Sequence, residues 1–438
     1  MIPFPMKRTF MLLAFSLLAV PLPAQDVWPL ERCIQYALEH NTGLREQHLE
    51  VELRDAELQR SRFDVLPSLH AGIGQDWNWG RSVDMQELVI VRNRLTRATA
   101  ASLGASLTLF DGLSKHYGRL AAGKAAEAAR QDARRMESEL EIDITRAYLQ
   151  LMLAKQFHAY TRESHQTIMQ QRERTATLVE AGSQPKSALH EIEAQVASEK
   201  AAMVEAACRV RTETLALARL MNLPASEPFV TSDVFGQEPV VEKVPVITDQ
   251  QIEDYLCVDP RILRYGATLE EMRQRKNQAR AGYFPTLHLS AGYGSYYSSS
   301  AEEPFWKQMD ENRNPSLSLQ LDIPIFQALQ TTTQVRKSRL AQDLARLDLE
   351  KVRTQITDEI RSATIEAENC CQKYLSSEET LQAMKSLLEV TEAKYNLGAA
   401  TALDYVVARN NHFKAVSDYL QAKWQFLFQL KLLERYRP

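Results

Sequence analysis

The sequence has few of the residues that interrupt helices. It contains 15 glycines and 17 prolines in 438 residues, and neither occurs in Lys124–Ala181 or Gln327–Leu397. These stretches exclude the short helices of an ordinary globular domain, because at 1.5 Å per residue each helix would extend over roughly 90–105 Å. Two shorter stretches without glycine or proline follow them, at Lys186–Leu223 and Ala399–Arg437. We therefore predict two long helical hairpins.

Apolar residues recur along each long stretch at alternating spacings of three and four, which is typical of a coiled-coil seam. The seam residues are Leu140, Ile144, Ala147, Leu151 and Ala154 in the first stretch, and Leu349, Val352, Ile356, Ile360, Ala363, Ala367 and Cys370 in the second. Each long helix is therefore predicted to bury one narrow stripe against other helices.

Long apolar runs are missing after the N-terminus. Two basic residues precede an apolar run at Phe10–Leu22, and Ala24 follows it, which indicates a signal peptide at residues 1–24. No later run reaches about 18 apolar residues, so we expect no transmembrane helix in the mature chain. The first cysteine, Cys33, lies too far from this cleavage site for a lipid-anchored N-terminus.

Patterns that carry chemistry are also scarce. The nine histidines include no His-Glu-x-x-His pair, and there is no glycine-rich phosphate loop. We therefore predict neither an enzyme nor a cofactor or metal. His158 and His165 could bridge a metal, but a surface or interhelical role is the simpler interpretation. The formal net charge of −4 gives no electrostatic reason to expect nucleic acid.

Cysteine is rare, with five residues in the chain. The odd number excludes complete disulfide pairing, and Cys370 lies on the apolar seam. We predict unpaired, buried thiols. The alternative, a soft-metal site at the adjacent Cys370 and Cys371, lacks the usual ligand spacing.

Four segments alternate apolar and polar residues, which predicts strands with one face for lipid and one for water. They are residues 67–79, 101–110, 285–297 and 316–326. Each is about ten residues long, enough to cross a bilayer at a tilt. Aromatic residues cluster near one end of the strands, as in an interfacial girdle, and they include Trp77, Trp79, Tyr293, Tyr297 and Trp306. The alternative is a soluble sandwich with one buried face.

Four strands are too few for a transport barrel, and an open sheet edge is not tolerated in lipid. Several protomers must therefore contribute strands to one barrel. Three protomers would give twelve strands, and the same arrangement would bring twelve long helices together in a tube.

The strands and hairpins occur twice in the same order. At a constant offset, Leu103 and Phe110 correspond to Leu319 and Phe326, and Gly182 corresponds to Gly398. A register without gaps over strand, helix and terminal glycine indicates an internal duplication.

Three segments follow the signal peptide. We predict a first repeat at residues 25–223, a proline-rich linker or equatorial segment at 224–248, and a second repeat at 249–438. Each repeat contains opening helices, two strands and a long helical hairpin.

This organisation resembles the outer membrane efflux proteins of the TolC family. The resemblance covers essentially the whole mature chain and rests on the order and duplication of its features. They are the opening helix Leu30–Asn41, the strand starts Leu66-Pro67 and Phe284-Pro285, the strand exits at residues 107–112 and 323–326, and the two glycines at the hairpin ends. The resemblance implies a mostly α-helical homotrimer with a twelve-stranded barrel in the outer membrane lipid and an α-helical tunnel that extends into the periplasm.

The same resemblance implies a function. The chain is expected to be the channel, or exit duct, of a tripartite efflux or type I secretion system, docked on a periplasmic adaptor and an inner-membrane transporter. A structural periplasmic coiled-coil adaptor or stalk protein is the alternative, and the four alternating segments argue against it. The transported substrate is not encoded in any recognisable pattern, since drugs, metals and polypeptides would pass the same lumen.

The resemblance also assigns residues to the hairpin ends, where the chain reverses and a left-handed residue is required. The adaptor-docking tips are expected at Gly182, Ser183, Leu397, Gly398 and Ala399.

A periplasmic gate is implied near the second glycine, at Tyr395, Asp404 and Val407. Tyr395 and Asp404 match the residues that the family places there. Ala188, Ala400 and Val407 stand where the family has an acidic, a basic and a second acidic residue. The bonds between protomers must therefore differ from those of the relatives.

Asp404 has a second interpretation. The sequence Thr401-Ala-Leu-Asp404 is typical of a capping box at a helix start. If Asp404 also faces the channel axis, three carboxylates would converge and make passage sensitive to pH and cations.

Overall fold

The computed structural model describes residues 27–83, 90–224, 229–232 and 244–436. The predicted signal peptide at residues 1–24 lies outside these ranges. The chain divides into two compact units. The first unit contains the described parts of residues 1–40, 143–240 and 390–410, and the second contains those of residues 41–142, 241–389 and 411–438.

Helices dominate the described residues. The helices are α1 (Leu30–His40), α2 (Thr42–Phe63), α3 (Ser114–Glu180), α4 (Lys186–Met221), α5 (Asp249–Val258), α6 (Pro260–Ala281), α7 (Phe305–Glu311), α8 (Gln330–Asn396) and α9 (Ala402–Arg435). The strands are β1 (Val27–Trp28), β2 (Ser68–Val83), β3 (Ile90–Phe110), β4 (Val230–Thr231), β5 (Thr286–Ser298) and β6 (Asn314–Asp322). No helix in the described part of the chain is both long and apolar enough to cross a bilayer.

The two longest helices, α3 and α8, contain 67 residues each. Helix α3 begins earlier than expected and runs through Gly118 and Gly123, because a glycine costs about 1 kcal/mol in a helix without ending it. A Cβ atom at Gly118 would lie 3.0 Å from the Gln278 side chain, and one at Gly123 would lie 3.8 Å from Leu58. Gly118 therefore allows a close approach of the Gln278 side chain, whereas the contact at Gly123 leaves ordinary van der Waals room for a methyl group.

The apolar seams lie in the helix cores. All five seam residues of α3 are buried. In α8 the run from Val352 to Ala367 is buried, but the seam then shifts, and Cys371 is buried where Cys370 was expected. In a straight helix, positions seven residues apart rotate around the axis by about 20° relative to a perfect heptad repeat. Three heptads after Leu349, Cys371 therefore lies nearer the centre of the apolar stripe than Cys370. Cys371 packs with Tyr374 and Phe426.

The five cysteines are all free thiols. The prediction of buried thiols is right for Cys33 and Cys371, but Cys208 and Cys257 are exposed and Cys370 is half-buried. The prediction treated all five cysteines alike. Cys208 and Cys257 lie on the exposed sides of helices whose other sides are buried.

Four strands form one antiparallel sheet in the order β2-β3-β5-β6. Its register aligns apolar residues on one face: Leu107 pairs with Leu289, and Leu289 pairs with Leu319. Serines occupy the other face, where Ser106 pairs with Ser290. The alternation seen in the sequence is therefore a property of the whole sheet.

The strand limits differ from the predicted ones. Strand β2 continues to Val83 and β3 begins at Ile90, so this hairpin is longer than the segments 67–79 and 101–110. Strand β5 matches the segment 285–297 within one residue at each end. Strand β6 ends at Asp322, short of residue 326, because Pro324 has no N–H to continue the ladder.

Helix α7 and the short strands β1 and β4 were not expected from the sequence. Helix α7 lies between β5 and β6 and carries Trp306, which was assigned to the strand girdle. The buried side chain of Gln308 ties α7 to β5, since it accepts from the Ser298 N–H at 2.9 Å and donates to the Ser298 carbonyl at 3.1 Å. Within the predicted linker, β4 pairs in parallel with β1.

Candidate functional site

The turn that follows α3 is closed by backbone hydrogen bonds. The Ser183 N–H donates to the Leu178 carbonyl at 2.9 Å, and the Gly182 N–H donates to the Val179 carbonyl at 3.0 Å. This pair of bonds is a Schellman motif, which requires a left-handed residue after the helix. Gly182 supplies it with φ +73°.

The turn that follows α8 repeats this geometry. The Ala399 N–H donates to the Lys394 carbonyl at 2.8 Å, and the Gly398 N–H donates to the Tyr395 carbonyl at 3.0 Å. Gly398 also has φ +73°. Leu397 is 84% exposed beside it. Both turns therefore place small or apolar residues on the surface in the same conformation.

Tyr395 is buried just before the second turn. Its hydroxyl donates to Gln184 Oε1 at 3.1 Å and lies 3.1 Å from Thr175 Oγ1. Its ring stacks on Tyr405, with the ring centroids 5.3 Å apart. The hydroxyl is thus bonded to neutral partners of its own chain, and Ala188, which stands where an acid was expected from the resemblance, is buried.

Asp404 caps helix α9. Its Oδ2 accepts from the Thr401 N–H at 3.0 Å and from the Thr401 hydroxyl at 2.7 Å. The Asp404 N–H donates back to Thr401 Oγ1 at 3.1 Å. The hydrogen bonds from the Thr401 side chain and backbone lower the pKa of the Asp404 carboxyl. The capping interpretation is confirmed, and both Asp404 and the nearby Val407 are exposed.

A buried ion pair lies near these residues in the same unit. Arg409 donates to Glu199 through Nε at 2.5 Å and Nη2 at 3.1 Å. The side chains are only 7% and 5% exposed. Burial opposes the charge on Arg409, but the hydrogen bonds and charge of Glu199 outweigh it and raise the Arg409 pKa. The guanidinium therefore remains charged.

This pair joins three helices. Arg409 Nη2 also donates to the Ser164 carbonyl at 2.6 Å and the Ser164 hydroxyl at 3.0 Å. Glu199 Oε1 accepts from Gln195 at 3.1 Å. Sequence reasoning missed this cluster, because Arg409 and Glu199 are 210 residues apart and no local spacing connects them.

One face of the four-stranded sheet is apolar, and it is exposed in the single chain. Leu69, Ile73 and Leu319 are 72%, 83% and 64% exposed on it. Within the described residues, β2 pairs only with β3 and β6 only with β5. The sheet therefore has two edges that no strand in the described part of the chain pairs with.

Metal-binding side chains do not converge in the described part of the chain, where no group of three histidine, cysteine, aspartate or glutamate residues could hold an ion. His165 Nδ1 is buried without a hydrogen-bond partner.

A family model described as "Outer membrane efflux protein" matches residues 33–223 and 252–436. The chain belongs to the outer membrane efflux protein family. The two matched stretches fall within the two predicted repeats. Family membership confirms the predicted function and location: the chain is a channel of the outer membrane that serves efflux and extends into the periplasm.

Known relatives of this efflux protein agree with that assignment. Outer membrane protein TolC of Escherichia coli K12 is 21% identical over 410 residues, covering 91% of this chain and 80% of TolC. Outer membrane efflux protein BepC of Brucella suis is 22% identical over 316 residues, covering 72% of this chain and 66% of BepC.

Solved structures confirm the fold. CusC superposes with a TM-score of 0.80 at 18% identity, covering 93% of this chain and 91% of the CusC chain. The open state of the MtrE outer membrane channel of Neisseria gonorrhoeae gives a TM-score of 0.75 at 21% identity, with coverage of 93% and 88%. The chain therefore shares the overall fold of these two structures.

Proposed function

We propose that this outer membrane channel works as a homotrimer whose strands close one twelve-stranded barrel. The exposed apolar face of the sheet carries the proposal. Apolar surface in water costs about 25 cal/mol per Å², a cost that is absent in hydrocarbon. The two uncovered sheet edges must also pair, because lipid cannot satisfy backbone groups. Neighbouring copies of the same sheet supply both edges.

The channel is proposed to be the exit duct of a tripartite efflux or type I secretion system, with a periplasmic adaptor and an inner-membrane transporter as partners. One relative is named alkaline protease secretion protein AprF, of Pseudomonas aeruginosa, and is 23% identical over 172 residues. The family name indicates efflux, and the name of this relative indicates protein secretion. The structure of the single chain does not favour one process over the other.

The strand register provides a test. Leu319→Arg places a charge on the apolar face near the middle of strand β6 and is expected to cost about 2–4 kcal/mol at the bilayer midplane. The adjacent Ser318→Arg is the matched control, since its side chain lies on the polar face. We expect only Leu319→Arg to reduce the amount of heat-modifiable oligomer in outer membranes. Equal assembly of the two variants would contradict a lipid-facing Leu319.

The adaptor is proposed to dock on the two exposed turns, at Gly182, Ser183, Leu397, Gly398 and Ala399. Their shared geometry supports this, because one repeating partner surface could contact both. Cysteines at Ser183 and Ala399 should crosslink to the adaptor. A cysteine at Gln150, exposed within α3, is the control. Crosslinks from Gln150 alone would show that the adaptor binds elsewhere.

The gate is proposed at Tyr395, Asp404 and Val407. The capping role of Asp404 leaves its outer face exposed, so three copies around an axis would form a carboxylate ring, with Val407 as an apolar ring one turn further. Single-channel recordings of Asp404→Asn test this, with divalent-cation block expected to weaken. Unchanged block and selectivity would leave Asp404 with its capping role alone.

A further inference from the structure

A cavity lies where β3 passes into α3, in the unit that contains the sheet. Its volume is about 300 Å³, which is in the range of small-molecule sites. The lining residues are Phe110, Gly112, Leu113, Tyr117, Asn277, Arg280, Ala281 and Phe284. They come from the end of β3, the turn after it and the start of α3, and from the end of α6 and the turn that joins α6 to β5.

The cavity continues the apolar face of the sheet. A β-bulge between Thr108 and Phe110 changes the register, so that Phe110 pairs with Leu287. Leu287 in turn pairs with Leu321 on the apolar face. The bulge therefore turns Phe110 toward the side that faces lipid, at the end of the strand.

Glycine keeps the two turns together. Gly112 has φ +66°, and a Cβ atom there would lie 2.6 Å from the Ala281 carbonyl oxygen and 2.8 Å from Phe284 Cβ. No larger residue fits this approach. The close contact between turns forms one wall of the cavity.

The lining combines an apolar surface with a cation. Phe110, Leu113 and Phe284 are apolar, whereas Arg280 and Asn277 bring a guanidinium and an amide. None of the lining residues is acidic. The nearby Asp111 carboxylate is engaged in capping α3, since its Oδ2 accepts from the Lys115 N–H at 2.9 Å. The site therefore suits a ligand with an anionic head and an apolar tail.

We propose that this cavity binds an anionic phospholipid from the periplasmic leaflet of the outer membrane. The acyl chain packs between Phe110 and Phe284, and the phosphate accepts hydrogen bonds from Arg280 and the Asn277 amide. Continuity with the apolar face selects a membrane lipid as the occupant over a free phosphate. The inference rests on the proposed function in one respect, which is that this face lies in lipid.

Native mass spectrometry of the purified oligomer tests the proposal, with phosphatidylglycerol and phosphatidylcholine added in equal amounts. We expect the wild-type protein to retain phosphatidylglycerol preferentially. Arg280→Gln should reduce that preference about tenfold, because it removes a charge-assisted contact worth roughly that factor. Arg273→Gln is the control, since Arg273 lies on the same helix and pairs with Glu270 at 3.3 Å.

A second variant tests the apolar half of the site. Leu113→Trp fills the cavity and should reduce retention of both lipids. If that variant does not assemble, the ratio measured with Arg280→Gln still decides. Unchanged lipid preference in Arg280→Gln would overturn the proposal. If the dissociation temperature of the Arg280→Gln oligomer fell while the lipid ratio stayed the same, a second copy of the chain would be indicated as the occupant. Failure of the Leu319→Arg test would instead refute the membrane orientation.

Discussion

Replacing Arg409 by methionine is expected to destabilise the unit that contains the helical turns. At 3.1 Å and an effective dielectric constant of 20, the attraction between Arg409 and Glu199 is about 5 kcal/mol. That attraction offsets the cost of taking two charges out of water, which is several kcal/mol for each ion. Without Arg409, the Glu199 carboxylate is buried and unpaired, and such a break costs about 3–5 kcal/mol.

Removing both charges should cost much less than removing one. The double variant Arg409→Met with Glu199→Leu leaves no buried charge in this cluster. Ser164 can then bond within its own helix, and Gln195 keeps its hydrogen bond to Asn410 at 2.9 Å. A double-mutant cycle should therefore show a coupling energy of about 2 kcal/mol or more.

The assay is thermal unfolding of the detergent-solubilised protein, followed by circular dichroism for the wild type, both single variants and the double variant. Arg172→Met is the matched control, because Arg172 and Glu193 form a pair in the same unit at 3.3 Å with side chains 42% and 41% exposed. We expect it to cost at most about 1 kcal/mol. Single and double variants with strictly additive effects would refute the reasoning, as would an Arg409 variant no worse than the control.

Three further changes test the turns. Gly398→Ala should lower the melting temperature, since an alanine in the left-handed conformation costs about 1–2 kcal/mol. The control Gly266→Ala, inside α6, should raise the melting temperature, and equal effects of the two changes would contradict the requirement for a left-handed residue at Gly398. Tyr395→Phe leaves the buried Thr175 hydroxyl unpaired and should cost about 1–3 kcal/mol, and an unchanged melting temperature would argue against that bond. The pKa of Asp404 is lowered from its ordinary value of 3.8, so its cap stabilises above that value and loses this contribution as pH falls through the lowered pKa. Asp404→Asn should therefore reduce the acid dependence of the melting temperature, and identical pH profiles would count against it.

Local patterns predicted the parts of this protein that depend on neighbours in sequence. The absence of glycine and proline indicated α3 and α8, and alternation indicated the strands. Gly398 marked its turn because only glycine adopts that conformation freely. The capping box involves two residues that are three apart, Thr401 and Asp404, and the structure contains the predicted hydrogen bond between them.

Contacts between distant segments were not predictable in the same way. The shift of the α8 seam to Cys371 depends on how far the helix departs from an ideal heptad. Gln308 could be recognised as an anchor only once α7 had folded back onto β5. The missing acid at Ala188 was visible in the sequence, but the neutral partners that bond Tyr395 instead were not.

The sequence by itself determined the long helices, the two-faced strands and the turns, because each follows from periodicity or from a backbone conformation required at a single residue. Only the tertiary structure decided which charged residues are buried and which cavities form. Arg409 and Glu199 lie 210 residues apart, and the cavity beside Phe110 needs segments on both sides of the junctions β3–α3 and α6–β5. Such sites arise from close packing between segments, and one chain offers too many possible pairings for spacing alone to select them.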